Sequence, residues 1–104
     1  MNLQEAVAAA MSEFHGQLLD VSMYASGETE IGFQGYLAGS HALEDEADGA
    51  LLEFTGPEGQ PLGAVVLTEG AFEGAEWRKI ETPGSDAPLL AIELDDREIW
   101  LSHP

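Results

Sequence analysis

The chain has 104 residues, of which 44% are hydrophobic, and its 20 Asp and Glu against three Lys and Arg give a formal net charge of −17. A chain of this size and apolar content predicts a single folded domain over residues 1 to 104 and excludes a disordered acidic tail. The charge disfavours direct contact with nucleic acid or an anionic membrane and favours basic partners, while the absence of cysteine excludes disulfides and thiolate sites.

The first predicted element is a helix over residues 3 to 15. Apolar side chains recur in it at helical spacing, namely Leu3, Val7, Ala10, Met11 and Phe14. Asn2 followed by Glu5 resembles a capping box, and Gly16 stands where a left-handed C-terminal cap belongs. Because a helix this short is marginal by itself, we expect its apolar stripe to cover an open face of the sheet that follows.

Alternation of polar and apolar side chains predicts short antiparallel strands along the rest of the chain. They cover residues 17 to 25, 29 to 38, 50 to 55, 62 to 68 and 76 to 81, and are followed by a hairpin that begins at residue 89. Residues 69 to 75 are expected to be irregular, and residues 82 to 88 are expected to form a proline-bracketed loop.

These elements predict an α+β fold, in which the N-terminal helix packs on a small, strongly coiled antiparallel β-barrel or sandwich of roughly five to seven short strands. Gly32 and Gly35 interrupt the second strand, and Gly39 follows it. Such glycines are typical of the bulges and sharp coiling by which a short sheet curls up, so they favour the barrel.

The C-terminal residues 89 to 101 carry the clearest local signal. Asp95 and Asp96 tolerate the positive φ angles of a two-residue turn, which predicts that they are the loop of a β-hairpin. This register predicts the pairs Leu94 with Arg97, Glu93 with Glu98, Ile92 with Ile99, Ala91 with Trp100 and Leu90 with Leu101. One face of the hairpin is then apolar and requires a core, whereas the other face is acidic.

The acidic face carries Glu93, Glu98 and Trp100. Two carboxylates opposed on a ladder repel each other, which is unusual for a purely structural hairpin. The polar connection over residues 40 to 49 holds another row of acids, and alternate residues of an extended segment lie about 6.8 Å apart, a spacing comparable to that of backbone phosphates. The candidate partner-binding residues are therefore Glu93, Asp95, Asp96, Glu98, Trp100, Glu44, Glu46 and Asp48.

Motifs for catalysis, cofactors or metal ions do not stand out. No Gly-x-Ser-x-Gly, phosphate loop or nucleotide fingerprint occurs, and His15, His41 and His103 lack the spacing of metal ligands. Residues 44 to 49 resemble the start of a calcium-binding loop, but the acid required at its twelfth position is Thr55. We therefore predict no enzyme activity, no cofactor and no metal site.

Charge and hairpin together predict a non-enzymatic acidic binding or inhibitor protein that occupies the basic surface of a nucleic-acid-acting protein. Nucleic-acid mimics of the anti-restriction, anti-CRISPR and nuclease-immunity types are examples. The alternative is a small self-associating β-barrel module, a homo-oligomer whose acidity reflects a salt-adapted or acidic proteome. Since no Lys or Arg precedes the Ala-rich N-terminal run, we expect no signal peptide and no membrane contact, and predict a cytoplasmic protein.

Overall fold

The computed structural model describes residues 1 to 25, 28 to 43, 49 to 82 and 85 to 104, in which one helix is followed by seven strands. In chain order the elements are α1 (Leu3–Phe14), β1 (Leu18–Ala25), β2 (Glu28–Ala42), β3 (Gly49–Thr55), β4 (Pro61–Thr68), β5 (Phe72–Thr82), β6 (Ser85–Leu94) and β7 (Glu98–Ser102). Over these residues, no helix has the length and apolar character that crossing a lipid bilayer requires.

Helix α1 begins at Leu3, as the sequence predicts, and ends at Phe14, one residue before the predicted end. The Glu5 N–H donates to the Asn2 side chain at 2.8 Å and the Asn2 N–H donates to the Glu5 carboxylate at 3.0 Å, which confirms the capping box. Gly16, just beyond the helix, has a φ of 77°, the left-handed conformation that glycine favours. The helix buries Leu3, Ala6, Ala10 and Phe14. Its predicted role as a cover for the sheet is therefore confirmed.

The strands form one antiparallel sheet in the order β4-β3-β2-β1-β7-β6-β5. The predicted C-terminal hairpin is present as β6–β7, and β1–β2 and β3–β4 also pair as antiparallel neighbours. In addition, β7 pairs with β1, so that Val21 lies opposite Leu101 and Met23 lies opposite Ile99. The C-terminal hairpin therefore lies beside the first strand, next to the centre of the sheet.

One face of the sheet is apolar and encloses the core together with α1. Its fully buried strand side chains are Leu19, Val21, Leu37, Leu52, Phe54, Val65, Leu67, Leu90, Ile92, Ile99 and Leu101. Burying one large aliphatic or aromatic side chain contributes about 1.5–3 kcal/mol. Gly35 permits a close approach on this face, because a Cβ there would lie only 3.2 Å from the Cβ of Phe54.

The connection between the two edge strands shows how strongly the sheet curls. β4 and β5 lie at opposite ends of the strand order, yet only residues 69 to 71 join them. A connection of this length spans at most about 14 Å. The sheet therefore curls until its two edges approach each other at this corner.

The sheet is not closed, so the predicted barrel or sandwich is wrong, although the α+β class is confirmed. Closure requires the two edge strands to hydrogen-bond along their length, whereas over the described residues β4 pairs with β3 and β5 pairs with β6. Helix α1 packs against β5 instead. The Met1 amine donates to the Ala75 carbonyl at 3.4 Å, and the rings of Phe14 and Trp77 lie 5.8 Å apart.

Three predicted boundaries are also wrong. β2 continues to Ala42, inside the expected polar connection, and β5 begins at Phe72, inside the stretch expected to be irregular. β6 begins at Ser85, inside the expected proline-bracketed loop. Pro88 is compatible with β6 because the last residue of β6 that pairs with β7 on that side is Leu89. Pro88 lies opposite only Lys79 of β5, so its missing N–H removes no bond to β7.

Candidate binding face on the C-terminal hairpin

The β6–β7 hairpin has the register predicted from the sequence. The Leu94 N–H donates to the Arg97 carbonyl at 2.8 Å, which leaves Asp95 and Asp96 as the two loop residues. The other pairs are Glu93 with Glu98, Ile92 with Ile99, Ala91 with Trp100 and Leu90 with Leu101. Local turn chemistry and alternation were therefore sufficient to predict which side chains share a face.

The outer face of the hairpin gathers acidic and aromatic side chains. Glu93 is exposed, whereas Glu98 and Trp100 are half-buried. The neighbouring strands β1 and β5 continue this face on either side through Tyr24 and Glu76. We call this surface the acid–Trp face and define it by Tyr24, Glu76, Arg78, Glu93, Glu98 and Trp100.

Arg78 of β5 bridges the carboxylates of the acid–Trp face. Its Nη1 donates to Glu98 Oε1 at 2.6 Å and its Nε donates to Glu76 Oε1 at 2.8 Å. Its Nη2 donates to Glu93 Oε1 at 3.4 Å, so one guanidinium holds carboxylates from three neighbouring strands. Hydrogen bonding to Glu76 is the main cause that raises the pKa of Arg78; partial desolvation opposes this rise, and Glu98 adds to it.

The expected repulsion between Glu93 and Glu98 is thus compensated by Arg78. Arg78 reaches the pair through the β5–β6 ladder, which the sequence does not reveal locally. Ala91 is fully buried and lies between Glu76 and Trp100 in the strand register. The sequence signal that pointed toward such a contact is that two of the three cations of the chain stand together at positions 78 and 79.

Trp100 is held in a defined orientation on this face. Its Nε1 donates to Glu98 Oε1 at 2.8 Å, the same oxygen that accepts from Arg78. Its ring lies 4.7 Å from the ring of Tyr24 at an interplanar angle of 51°. The guanidinium carbon of Arg78 lies 5.7 Å from the Trp100 ring centroid, within the range of a cation–π contact.

An open groove of about 730 Å³ lies beside the hairpin turn. Its lining brings together all the predicted hairpin site residues, Glu93, Asp95, Asp96, Glu98 and Trp100. Glu73, Tyr24 and Arg97 also line it, so five carboxylates against one guanidinium give the lining a formal charge of −4. Carboxylate oxygens accept hydrogen bonds from Lys and Arg with particular strength, which makes the groove a suitable site for cationic side chains.

The hairpin turn is fixed by contacts inside and outside the hairpin. Arg97 Nε and Nη2 donate to the two carboxylate oxygens of Asp96 at 3.2 Å and 3.1 Å. The hydrogen bond from Arg97 is the main cause that lowers the pKa of Asp96. The Asp95 N–H donates to the Ala71 carbonyl at 2.8 Å, which ties the turn to the corner between β4 and β5.

Part of the predicted site lies elsewhere in the chain. Glu44, Glu46 and Asp48 fall outside the described residues, so their role stays a prediction. Sequence reasoning missed the contributions of Tyr24 and Arg78, because both depend on pairing between distant strands. Within the described ranges, no group of three or more His, Asp or Glu side chains is placed to hold a metal ion.

Similarity to known proteins does not assign a function to this face. Comparison of the chain with protein-family models, with curated proteins and with solved structures finds no match. The functional proposal therefore rests on the acid–Trp face and the groove beside it.

Proposed function

We propose that this protein is a non-enzymatic acidic binding protein, which inhibits a nucleic-acid-acting protein by occupying its basic surface. The observation that carries the proposal is the groove beside the hairpin turn, where five carboxylates line a surface that also presents Trp100. Such a surface offers the Lys and Arg of a partner the oxygen acceptors that phosphates otherwise provide. The protein is then a nucleic-acid mimic.

The distribution of charge along the chain supports attraction of a basic partner. Residues 1 to 77 contain no Lys or Arg, and the three cations of the chain are Arg78, Lys79 and Arg97. Both arginines are in ion pairs with carboxylates of the chain itself. Opposite net charges steer two proteins together and make their association fast and strongly dependent on salt.

The aromatic pair on the acid–Trp face supplies a contact that charge alone lacks. Interface energy is concentrated in a few residues, among which Trp, Tyr and Arg are enriched. Trp100 is already hydrogen-bonded to Glu98 and packed on Tyr24. Little side-chain freedom is therefore lost on binding, which lowers the entropic cost of forming a complex.

The test measures displacement of labelled duplex DNA or RNA from purified basic nucleases and restriction enzymes encoded in the same genome. The wild-type protein should displace the nucleic acid from at least one of them, with an affinity that falls steeply as salt rises. The double variant Glu93→Gln/Glu98→Gln should bind that partner at least about tenfold more weakly. It loses two acceptors, and Arg78 then faces the basic partner with less compensation.

The matched control is the double variant Glu13→Gln/Glu58→Gln. It changes the net charge by the same amount at two exposed residues outside the acid–Trp face, so the affinity should fall by no more than about twofold. Equal losses in both variants would show that only total charge matters, and would remove the acid–Trp face as the site. An affinity that stays constant from low to high salt would contradict mimicry itself.

A further inference from the structure

A slot lies between the free edge of β4 and the β6–β7 turn. It is a cavity of about 450 Å³, and the consecutive residues Ala64, Val65 and Val66 line one side of it. Consecutive residues of a strand point to opposite faces of the sheet. The slot therefore borders the edge of β4, whereas Asp95 and Asp96 border its other side.

The floor of the slot is apolar and its rim is charged. Val65 and Ile99 are fully buried and Met23 is partly buried, and all three line the slot. At the rim, Asp95 and Asp96 are exposed and Arg97 is half-buried, so the charged residues that line the slot sum to −1. This combination is complementary to a segment in which apolar side chains alternate with Lys or Arg.

β4 lacks the charges that usually protect an edge strand. Residues 59 to 68 contain no Asp, Glu, Lys or Arg, and Leu62 and Val66 are each 50% exposed. Within the part of the chain that the structure describes, no strand pairs with β4 on the side away from β3. Unpaired N–H and C=O groups on such an edge are a template for another strand.

We infer that the slot binds an extended segment of a protein partner, in which apolar and basic residues alternate, and that this segment adds to the sheet as a strand beside β4. Main-chain hydrogen bonds to β4 supply affinity, as in other cases of strand addition. Apolar side chains of the segment enter toward Met23 and Ile99, and basic side chains reach Asp95 and Asp96. The basic character of the segment rests on the proposed function, whereas the strand addition does not.

A second copy of this chain is a less suitable occupant. Each copy carries a formal charge of −17, and the rim next to the β4 edge is acidic. Pairing of two β4 edges would bring like charges together, which opposes association. A positively charged segment is not repelled in this way.

The test uses two labelled synthetic peptides of about eight residues, a usual strand length. Both contain equal numbers of Lys and Val, which alternate in the first peptide and form two blocks in the second. Since the net charge is the same, any difference between them reports the alternating pattern of a strand. The alternating peptide should bind the wild-type protein at least about tenfold more tightly.

Two substitutions on β4 locate the binding site. Val66→Lys should weaken binding of the alternating peptide at least about tenfold, because it places a cation at the slot and repels the Lys side chains. Leu62→Lys is the matched control, since Leu62 is equally exposed on the same strand but does not line the slot. It should change the affinity by no more than about twofold. Circular dichroism checks that both variants keep the fold.

If the two peptides bind equally well, or if the two substitutions have equal effects, the slot is not the binding site of an extended segment. Sedimentation of the unliganded protein at physiological salt tests the occupant: a wild-type dimer that Val66→Lys dissociates would assign the edge to a second copy. The variant Glu93→Gln/Glu98→Gln should keep its affinity for the alternating peptide within about threefold. A larger loss would place the peptide on the acid–Trp face.

The proposed function can fail separately. If the protein binds the alternating peptide but binds no basic nucleic-acid-acting protein, only the proposed function is contradicted.

Discussion

The two edge strands of the sheet differ in the property that governs edge pairing. The described part of β5 carries Glu73, Glu76, Arg78 and Lys79, whereas β4 carries no charged residue. Charged side chains on an edge strand hinder pairing with other chains. β5 is therefore protected and β4 is not, although the chain as a whole carries a net charge of −17.

The charges of β5 also organise the outer face of the sheet. By strand alternation, Glu76 and Arg78 point to the acid–Trp face and Lys79 points to the opposite face. β5 thus contributes Arg78 and Glu76 to an ion-pair network, whereas β4 presents backbone N–H and C=O groups that no other described strand pairs with. Asp95 and Asp96 line both the groove and the slot, so the two surfaces meet at the hairpin turn.

Removing the cation of β5 should have the largest effect on stability. Arg78→Gln leaves three carboxylates close together without their shared donor, so we expect the free energy of unfolding to fall by about 1–2 kcal/mol at low salt. The loss should shrink at high salt, because salt screens the remaining repulsion. Urea denaturation at two salt concentrations measures both quantities.

Lys79→Gln is the control for this comparison, since it removes the same charge from the next residue of β5. We expect a change within about 0.5 kcal/mol, because Lys79 is exposed and points away from the acid–Trp face. Equal losses in the two variants would mean that total charge governs stability and that the Arg78 network contributes nothing of its own.

Within the network, Glu98 should matter more than Glu93. Glu98 Oε1 accepts from Arg78 at 2.6 Å and from Trp100 at 2.8 Å, whereas Glu93 accepts from Arg78 at 3.4 Å. We expect Glu98→Gln to cost about 1 kcal/mol and Glu93→Gln about 0.3 kcal/mol in urea denaturation. Unrelieved repulsion between the two opposed carboxylates would instead make removal of either charge stabilising, so a gain in both variants would show that Arg78 does not bridge the pair.

The register of the β6–β7 hairpin could be predicted from the sequence because its determinants are local. Asp95 and Asp96 define the turn, and the alternation on either side then sets every pair. The position of Arg78 could not be predicted in this way. It depends on the β5–β6 register, and β6 begins at Ser85 within residues that were expected to be a loop. Pro88 favoured that loop, although it lies beyond the end of β7, where a missing N–H is tolerated.

Whether the sheet closes could not be predicted from local sequence patterns either. Glycines in and after β2 indicated coiling, but coiling alone does not decide whether a sheet closes. Closure depends on contact between β4 and β5, which lie at opposite ends of the strand order. Helix α1 packs against β5 instead, through a tertiary contact between Phe14 and Trp77 that leaves no local pattern in the sequence.

On the β4 side, replacing an exposed apolar residue by a polar one of similar shape should have little effect on stability. Val66→Thr keeps a β-branched side chain at a position that is 50% exposed, so we expect a change in unfolding free energy below about 0.5 kcal/mol. A loss well above that value, measured by urea denaturation, would show that Val66 is needed for packing. The neutrality of β4 would then have a structural cause, and its contrast with β5 would weaken.

The smallest effect on stability should come from the ion pair between Asp96 and Arg97, in the hairpin turn where the groove and the slot meet. The pKa of Asp96 is lowered by Arg97, so the folded state favours the ionised carboxylate. The resulting stabilisation is present above the ordinary pKa of Asp, about 3.9, and is lost as the pH falls through the lowered pKa of the folded state. NMR titration of the Asp96 carboxyl carbon should show this lowered value in the wild type and a return toward the ordinary value in Arg97→Gln. A titration that is identical in both proteins would mean that Arg97 does not hold the carboxylate in solution, and that the rim opposite β4 is not fixed by this ion pair.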